Sequence, residues 1–141
     1  MRLVRAGDAG LLGAVAAGGL LGSLGRYAVG LAVPHTAGSF VWSTFVVNVT
    51  GSFAMGVLVV WVLAMASPHP WLRPFLGVGV LGGWTTFSSY ALDVHTMVQA
   101  GHGLVAAAYL VGSLVVGLVA VGLGISLGER VFGRRPWAVR R

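Results

Sequence analysis

The sequence predicts an all-α membrane protein: four transmembrane helices in one bundle, with the third helix broken near its middle. Three observations carry this. Of the 141 residues 57% are hydrophobic and only 9% are charged, with a mean hydropathy of +0.90. A soluble domain carries about a quarter charged residues, so this chain cannot cover a soluble surface. Its length suits about four crossings of roughly 20 residues each, joined by short turns. The stretch Gly82-Gly83-Trp84-Thr85-Thr86-Phe87-Ser88-Ser89-Tyr90 places two glycines and four hydroxyl side chains inside one apolar run. Unsatisfied polar backbone in hydrocarbon costs roughly several kcal/mol per group, so polarity at that depth marks the segment where function is expected.

Taken in order, residues 1–9 form a short polar lead with Arg2, Arg5 and Asp8. It is expected to be a cytoplasmic lead, because the apolar run behind it continues too far for a signal peptide. The first span covers about residues 10–33. Gly18 and Gly22 have the GxxxG spacing that lets helices approach closely, and Arg26 and Tyr27 lie towards its far end. After a loop at 34–38, the second span covers about 40–66. Trp42 suits its interface, and Thr44, Asn48 and Ser52 recur every four residues on one helix face. Ser67-Pro68-His69-Pro70 breaks the chain. The third span, about 71–99, is interrupted at Gly82-Gly83. Gly101-His102-Gly103 makes the next turn. The fourth span covers about 104–127, with Tyr109, Ser113 and Gly117 on one stripe. Residues 129–141 form a basic tail with five arginines. The whole chain is one four-helix transmembrane domain.

The net charge of +6 comes from nine arginines and no lysine. In a membrane protein this bears on topology before nucleic acid, and no nucleic-acid partner is expected. Arg2, Arg5, Arg73 and the tail arginines share one side of a four-span bundle, which places both termini in the cytoplasm. There are no cysteines, which excludes disulfides, zinc–thiolate sites and cysteine nucleophiles. The four histidines lack metal-ligand spacing, and no catalytic constellation stands out, so no enzyme is expected.

A few residues could carry chemistry. Two roles are open to Asn48, the single asparagine: helix–helix glue through its amide, or a two-hydrogen donor facing a desolvated anion. Arg26 is either a snorkelling interfacial arginine or an anion attractor at a vestibule. Asp93 is a solvated carboxylate near a span end, a proton or cation site, or a partner to a basic or hydroxyl group. Thr86, Tyr90 and Asp93 share a helix face, and Phe87 and Tyr90 are surface neighbours. Aromatic rings usually pack, but ring edges are positive and can replace water around a small anion without a full charge.

Three ordered motifs now stand out. They are Gly18-Gly19-Leu20-Leu21-Gly22-Ser23-Leu24-Gly25-Arg26-Tyr27, Asn48-Val49-Thr50-Gly51-Ser52-Phe53-Ala54-Met55-Gly56 and the 82–90 stretch. On these the sequence resembles the Fluc (CrcB) fluoride channels. The resemblance implies a fluoride-selective channel of the bacterial plasma membrane that exports F⁻ passively and protects against its toxicity. It implies an antiparallel dimer with two pores, and a structural Na⁺ at the dimer interface on the backbone carbonyls of Gly82 and Thr85. It places the pore asparagine at Asn48, the ring pair at Phe87 and Tyr90, and the polar track at Thr86, Tyr109 and Ser113. The vestibule arginine falls on Arg26 and the acidic residue after the rings on Asp93. Here Tyr90 stands in place of a second phenylalanine, and Gly117 in place of a hydroxyl found in some relatives. The arginine bias favours one fixed orientation, so the dimer is expected as a homodimer or as a heterodimer with a paired homologous subunit. The alternative is a small dimeric proton-coupled multidrug exporter, which needs a membrane-embedded carboxylate; only Asp93 offers one.

Overall fold

A computed structural model describes residues 6–36, 38–65, 67 and 69–133. Its helices are α1 (Ala6–Ala32), α2 (Trp42–Ala64), a π-helical segment (Pro74–Leu81), the single turn α3 (Gly82–Trp84), α4 (Phe87–Gln99) and α5 (Gly103–Phe132). The described residues contain no strand. Helices α1, α2 and α5 each contain an apolar stretch long enough to cross a membrane. Between α2 and α5 the chain is helical only in pieces, as the glycines and hydroxyls of 82–90 foretell. The first piece is a wide π-helix, a rare geometry that frequently accompanies functional sites. Pro74 opens that segment, where its missing N–H removes no helical bond.

One boundary differs from the sequence reading. Helix α5 does not end at Leu127 but runs to Phe132, taking Glu129 and Arg130 out of the basic tail. Packing against α2 explains the extension: Gly128 lies against Val60, and Phe132 meets Trp61 with ring centroids 6.4 Å apart. The tail beyond 133, and Arg2 and Arg5, lie outside the described residues.

The helices associate as two pairs. Helix α1 lies along the π-helical segment and α3, and α2 lies along α5. Contacts rise together in both pairs: Gly10 with Trp71, Gly18 with Gly79 and Gly25 with Trp84 in one, Gly56 with Val121 and Gly128 with Val60 in the other. Each pair is therefore parallel. Beyond the break the chain changes partner, and α4 packs on α5. A cluster of Val41, Met97, Ala106 and Tyr109, walled by Phe40 and Phe45, fills the end of the bundle where α4 meets α5. The turn between them needs a left-handed residue: Gly101 has φ +79°, His102 N–H donates to Met97 at 2.9 Å and Gly101 N–H to Val98 at 3.0 Å. This is the glycine-terminated cap that lets α5 reverse at once.

Lipid tails are as apolar as leucine, so close backbone packing has to hold such helices together. The α1 contact depends on it most. A Cβ on Gly79 would sit 2.9 Å from Gly18 Cα, backbone against backbone, whereas one on Gly77 would meet only Leu58 Cδ2 at 3.6 Å. Gly79→Ala is expected to cost about 1–3 kcal/mol through overpacking, read as a lower thermal-unfolding midpoint in detergent. Gly77→Ala should leave the midpoint unchanged or raise it. Equal midpoints for the two variants would contradict the contact.

Candidate functional site

The site begins with two extended residues. Thr85 (φ −81°, ψ 159°) ends α3, and Thr86 (φ −150°, ψ 124°) precedes α4. Thr86 Oγ1 restarts the helix by accepting from Ser89 N–H at 3.1 Å, the usual office of a threonine at an N-cap. Thr85 turns its N–H and its hydroxyl back onto the Leu81 carbonyl, at 3.0 and 2.9 Å.

Side chains from α1 and α2 close most of what the break leaves open. Thr86 is extended, so its N–H and C=O face the same way, and the Asn48 amide matches both. Oδ1 accepts from Thr86 N–H at 2.8 Å, and Nδ2 donates to Thr86 C=O at 2.9 Å. Arg26 Nε donates to the Gly83 carbonyl at 2.9 Å. Trp84 Nε1 donates to Thr50 Oγ1 at 3.0 Å. Gly83 lets α1 come this near, since a Cβ there would meet the Gly19 carbonyl. The carbonyls of Gly82, Trp84 and Thr85 take no side-chain hydrogen bond from any described residue, and Gly82 is exposed. Uncapped carbonyls are hard oxygen donors of the kind that suits a hard cation, so Gly82 and Thr85 are chemically fit for the Na⁺ that the family resemblance implies.

Two cavities flank the break, with Thr86 bordering both. The first, about 460 Å³, is lined by Arg26 and the hydroxyl-bearing Ser23, Tyr27, Ser43, Thr44 and Ser89. The second, about 470 Å³, is lined by Asn48, Ser52, Phe87, Tyr90, Ser113 and Gly117 among others, and no charged side chain reaches it. Ser113 Oγ is buried there with no hydrogen-bond partner among the described residues. One Nδ2 hydrogen of Asn48 is also uncommitted, since the amide has two and Thr86 takes one. Buried polar groups are nearly always paired; two idle donors on one cavity suit a ligand that accepts.

The rings border the same cavity. Phe87 and Tyr90 lie 5.9 Å apart between centroids, tilted by 47°. Tyr90 OH donates to the Leu110 carbonyl at 2.7 Å. Its donor is thereby committed to α5, and what Tyr90 offers the cavity is chiefly its ring. Phe87 is 79% exposed, on the outer surface of the subunit.

Not every expected residue meets here. Asn48, Phe87, Tyr90, Thr86 and Ser113 border the second cavity and Arg26 the first. Tyr109 and Asp93 line neither. Tyr109 is fully buried, its hydroxyl donating to Asp93 Oδ2 at 2.9 Å, and its ring backs Tyr90 at 5.4 Å. Arg26 and Asp93 are thus apart. Sequence reasoning did not anticipate Ser23, Ser43 and Ser89 in the first cavity, nor the Trp84–Thr50 bond. Ser23 and Ser89 sat within quoted motifs, and Ser43 beside the Thr44 stripe, but no spacing sets them apart.

A family model described as "CrcB-like protein, Camphor Resistance (CrcB)" matches residues 13–125, a range that takes in α2, the break, α4 and most of α1 and α5. The chain belongs to this CrcB-like family. It is 46% identical over 126 residues to "Fluoride-specific ion channel FluC 3" of Streptomyces avermitilis, covering 89% of this chain and 62% of that relative. It thus spans less than two thirds of that protein's length. It is 48% identical over 117 residues to "Fluoride-specific ion channel FluC 2" of Nocardia farcinica, covering 83% of this chain and 84% of the relative. To "Fluoride-specific ion channel FluC" of Rhodospirillum centenum it is 49% identical over 115 residues, covering 81% and 91%.

The two idle donors can be told from the working ones by stability. Asn48→Ala strands the Thr86 N–H and C=O, and a buried group left unpaired costs about 1–3 kcal/mol; the thermal midpoint in detergent should fall clearly. Ser113→Ala removes a hydroxyl that bonds nothing, and the midpoint should hold. A large fall for Ser113→Ala would mean that its hydroxyl has a partner.

Proposed function

We propose that the chain is a subunit of a fluoride-selective channel that lets F⁻ leave the cytoplasm passively. The observation that carries this reading is the second cavity: uncharged, bordered by the rings of Phe87 and Tyr90, and holding two idle hydrogen-bond donors. The names of the curated relatives support it. Neutral HF enters from weakly acidic surroundings and ionises inside. A negative-inside potential then drives the anion out, by about 2.3 kcal/mol per charge for each 100 mV.

Along the path, Arg26 in the first cavity attracts the anion. Asn48 N–H, Ser113 O–H and the ring edges of Phe87 and Tyr90 take the place of its water. With no fixed cation in the second cavity, binding stays weak enough for release. Thr86, which borders both cavities, would lie where the anion moves from one to the other. Tyr109 and Asp93 serve this path from behind, Asp93 holding Tyr109 and Tyr109 backing Tyr90.

The assembly is an antiparallel dimer in the bacterial plasma membrane, and both termini of this chain are cytoplasmic. Gly82 and Ser88 are exposed at the centre of a span, beside the 79% exposed Phe87. Lipid cannot satisfy a carbonyl there, so a second subunit covers them. The Gly82 and Thr85 carbonyls of both subunits would hold Na⁺, whose charge would satisfy oxygens that no side chain caps. The second subunit is another copy or, given the arginine bias, a paired homologue inserted the opposite way. Nothing favours a proton-coupled exporter, because Asp93 lines neither cavity.

The test is fluoride efflux from liposomes, followed with a fluoride electrode, for the chain alone and with a paired homologue. The wild type should release trapped fluoride. Ser113→Ala should slow release by roughly tenfold, the scale of one hydrogen bond to an ion, while its thermal midpoint stays put. Vesicles that keep their fluoride in both settings would contradict the function, and undiminished flux in Ser113→Ala would remove Ser113 from the path.

A further inference from the structure

We propose that Arg26 is a positioning residue of the helix break: its Nε–H bond to the Gly83 carbonyl determines which carbonyls remain for the cation. This rests on the cation site proposed above and gives Arg26 a task besides attracting anions. The break strips several consecutive carbonyls of their helical donors. Of these, Gly83 C=O is taken by Arg26 at 2.9 Å and Thr86 C=O by Asn48 at 2.9 Å. Gly82, Trp84 and Thr85 take no side-chain hydrogen bond, so what Arg26 does is remove the Gly83 carbonyl, next to Gly82, from the set the cation can use. Arg26 comes from α1, 57 residues away in sequence, so the bond also ties the two halves of the parallel pair together at the point where the π-helical segment gives out.

The fit of α1 serves this bond. A Cβ on Gly22 would collide with the Val80 carbonyl, and one on Gly25 would sit 2.9 Å from the Trp84 ring. Helix α1 therefore lies close enough for a bond from Nε, partway along the arginine, rather than from the tip. That leaves the terminal guanidinium nitrogens, which have no hydrogen bond among the described residues, for the first cavity that Arg26 lines. One side chain does two things with different atoms, and the two can be separated. Without the Nε bond, the Gly83 carbonyl is a free oxygen beside a cation and can rotate towards it, and the Gly82–Thr85 pair loses its preset spacing. A preorganised donor set binds more tightly than one that must be ordered on binding.

Glutamine places an amide nitrogen the same number of bonds from Cα as Nε, without charge. Methionine has the same length and no donor. A cation that binds only the folded protein raises its stability with concentration according to its dissociation constant, so the sodium midpoint of thermal protection reads the site apart from overall stability. The measurement is the unfolding temperature of the dimer in detergent against Na⁺, at constant ionic strength with an organic cation as replacement. The wild type should be protected by Na⁺. Arg26→Gln should keep the wild-type midpoint, and Arg26→Met should raise it by about tenfold or more, the scale of a lost charge-assisted hydrogen bond. If Arg26→Met does not yield folded dimer, Arg26→Ala takes its place with the same expectation. An unchanged midpoint in the donor-less variant overturns the inference, as does a shift in Arg26→Gln equal to that in Arg26→Met, which would make the charge the cause. A wild-type curve flat in Na⁺ would instead remove the cation site itself.

Discussion

Hydrocarbon offers a backbone nothing to bond, and this single constraint organises the structure. A helix satisfies it for free; a break does not. Where Thr85 and Thr86 are extended, the chain exposes polar groups at mid-span, and each must be met from elsewhere. Thr86 Oγ1 meets one from within the same segment, the Asn48 amide meets two from α2, and Arg26 meets one from α1. The arrangement of helices follows. Helix α1 has to lie against the crossing before the break, which its glycines allow, and α2 has to present Asn48 at the Thr86 level. Only the change of partner from α1 to α5 then remains, and α4 makes it.

The same break separates two kinds of chemistry. Inside the subunit, the idle donors of Asn48 and Ser113 and the neighbouring rings border an uncharged cavity, an environment for a small anion. At the exposed Gly82, a carbonyl that no side chain caps offers an environment for a cation. A continuous helix could not supply the second, because its C=O groups are bonded to its own N–H groups. The proposed Na⁺ site follows from the interruption itself, and the proposed fluoride path from the side chains of α2, α4 and α5 that gather beside it.

Much of this was legible in the sequence, for identifiable reasons. Polarity at 82–90 inside an apolar run could mean little other than a break. The spacing of four placed Asn48 with Ser52, and Ser113 with Gly117, and both pairs border the second cavity. At the stripe ends the same faces meet other neighbours: Thr44 lines the first cavity, and Tyr109 is buried with its hydroxyl on Asp93. Periodicity reports a helix face, not what stands opposite that face. The Arg26–Gly83 bond was out of reach for a similar reason: it depends on which helices pair, and GxxxG spacing announces a close contact without naming the partner. The π-helical geometry of Pro74–Leu81 leaves no period in a segment made almost wholly of apolar residues and glycine.

The central claim is that an uncharged, donor-lined cavity beside the break passes fluoride and strands chloride, which is too large for those donors to replace its water. The most direct measurement is the reversal potential of the assembled channel in a planar bilayer, with fluoride on one side and chloride on the other. The account predicts a potential that follows the fluoride gradient alone, roughly 59 mV for each tenfold change in fluoride, and ignores chloride. A potential that moves with chloride as readily as with fluoride would contradict it.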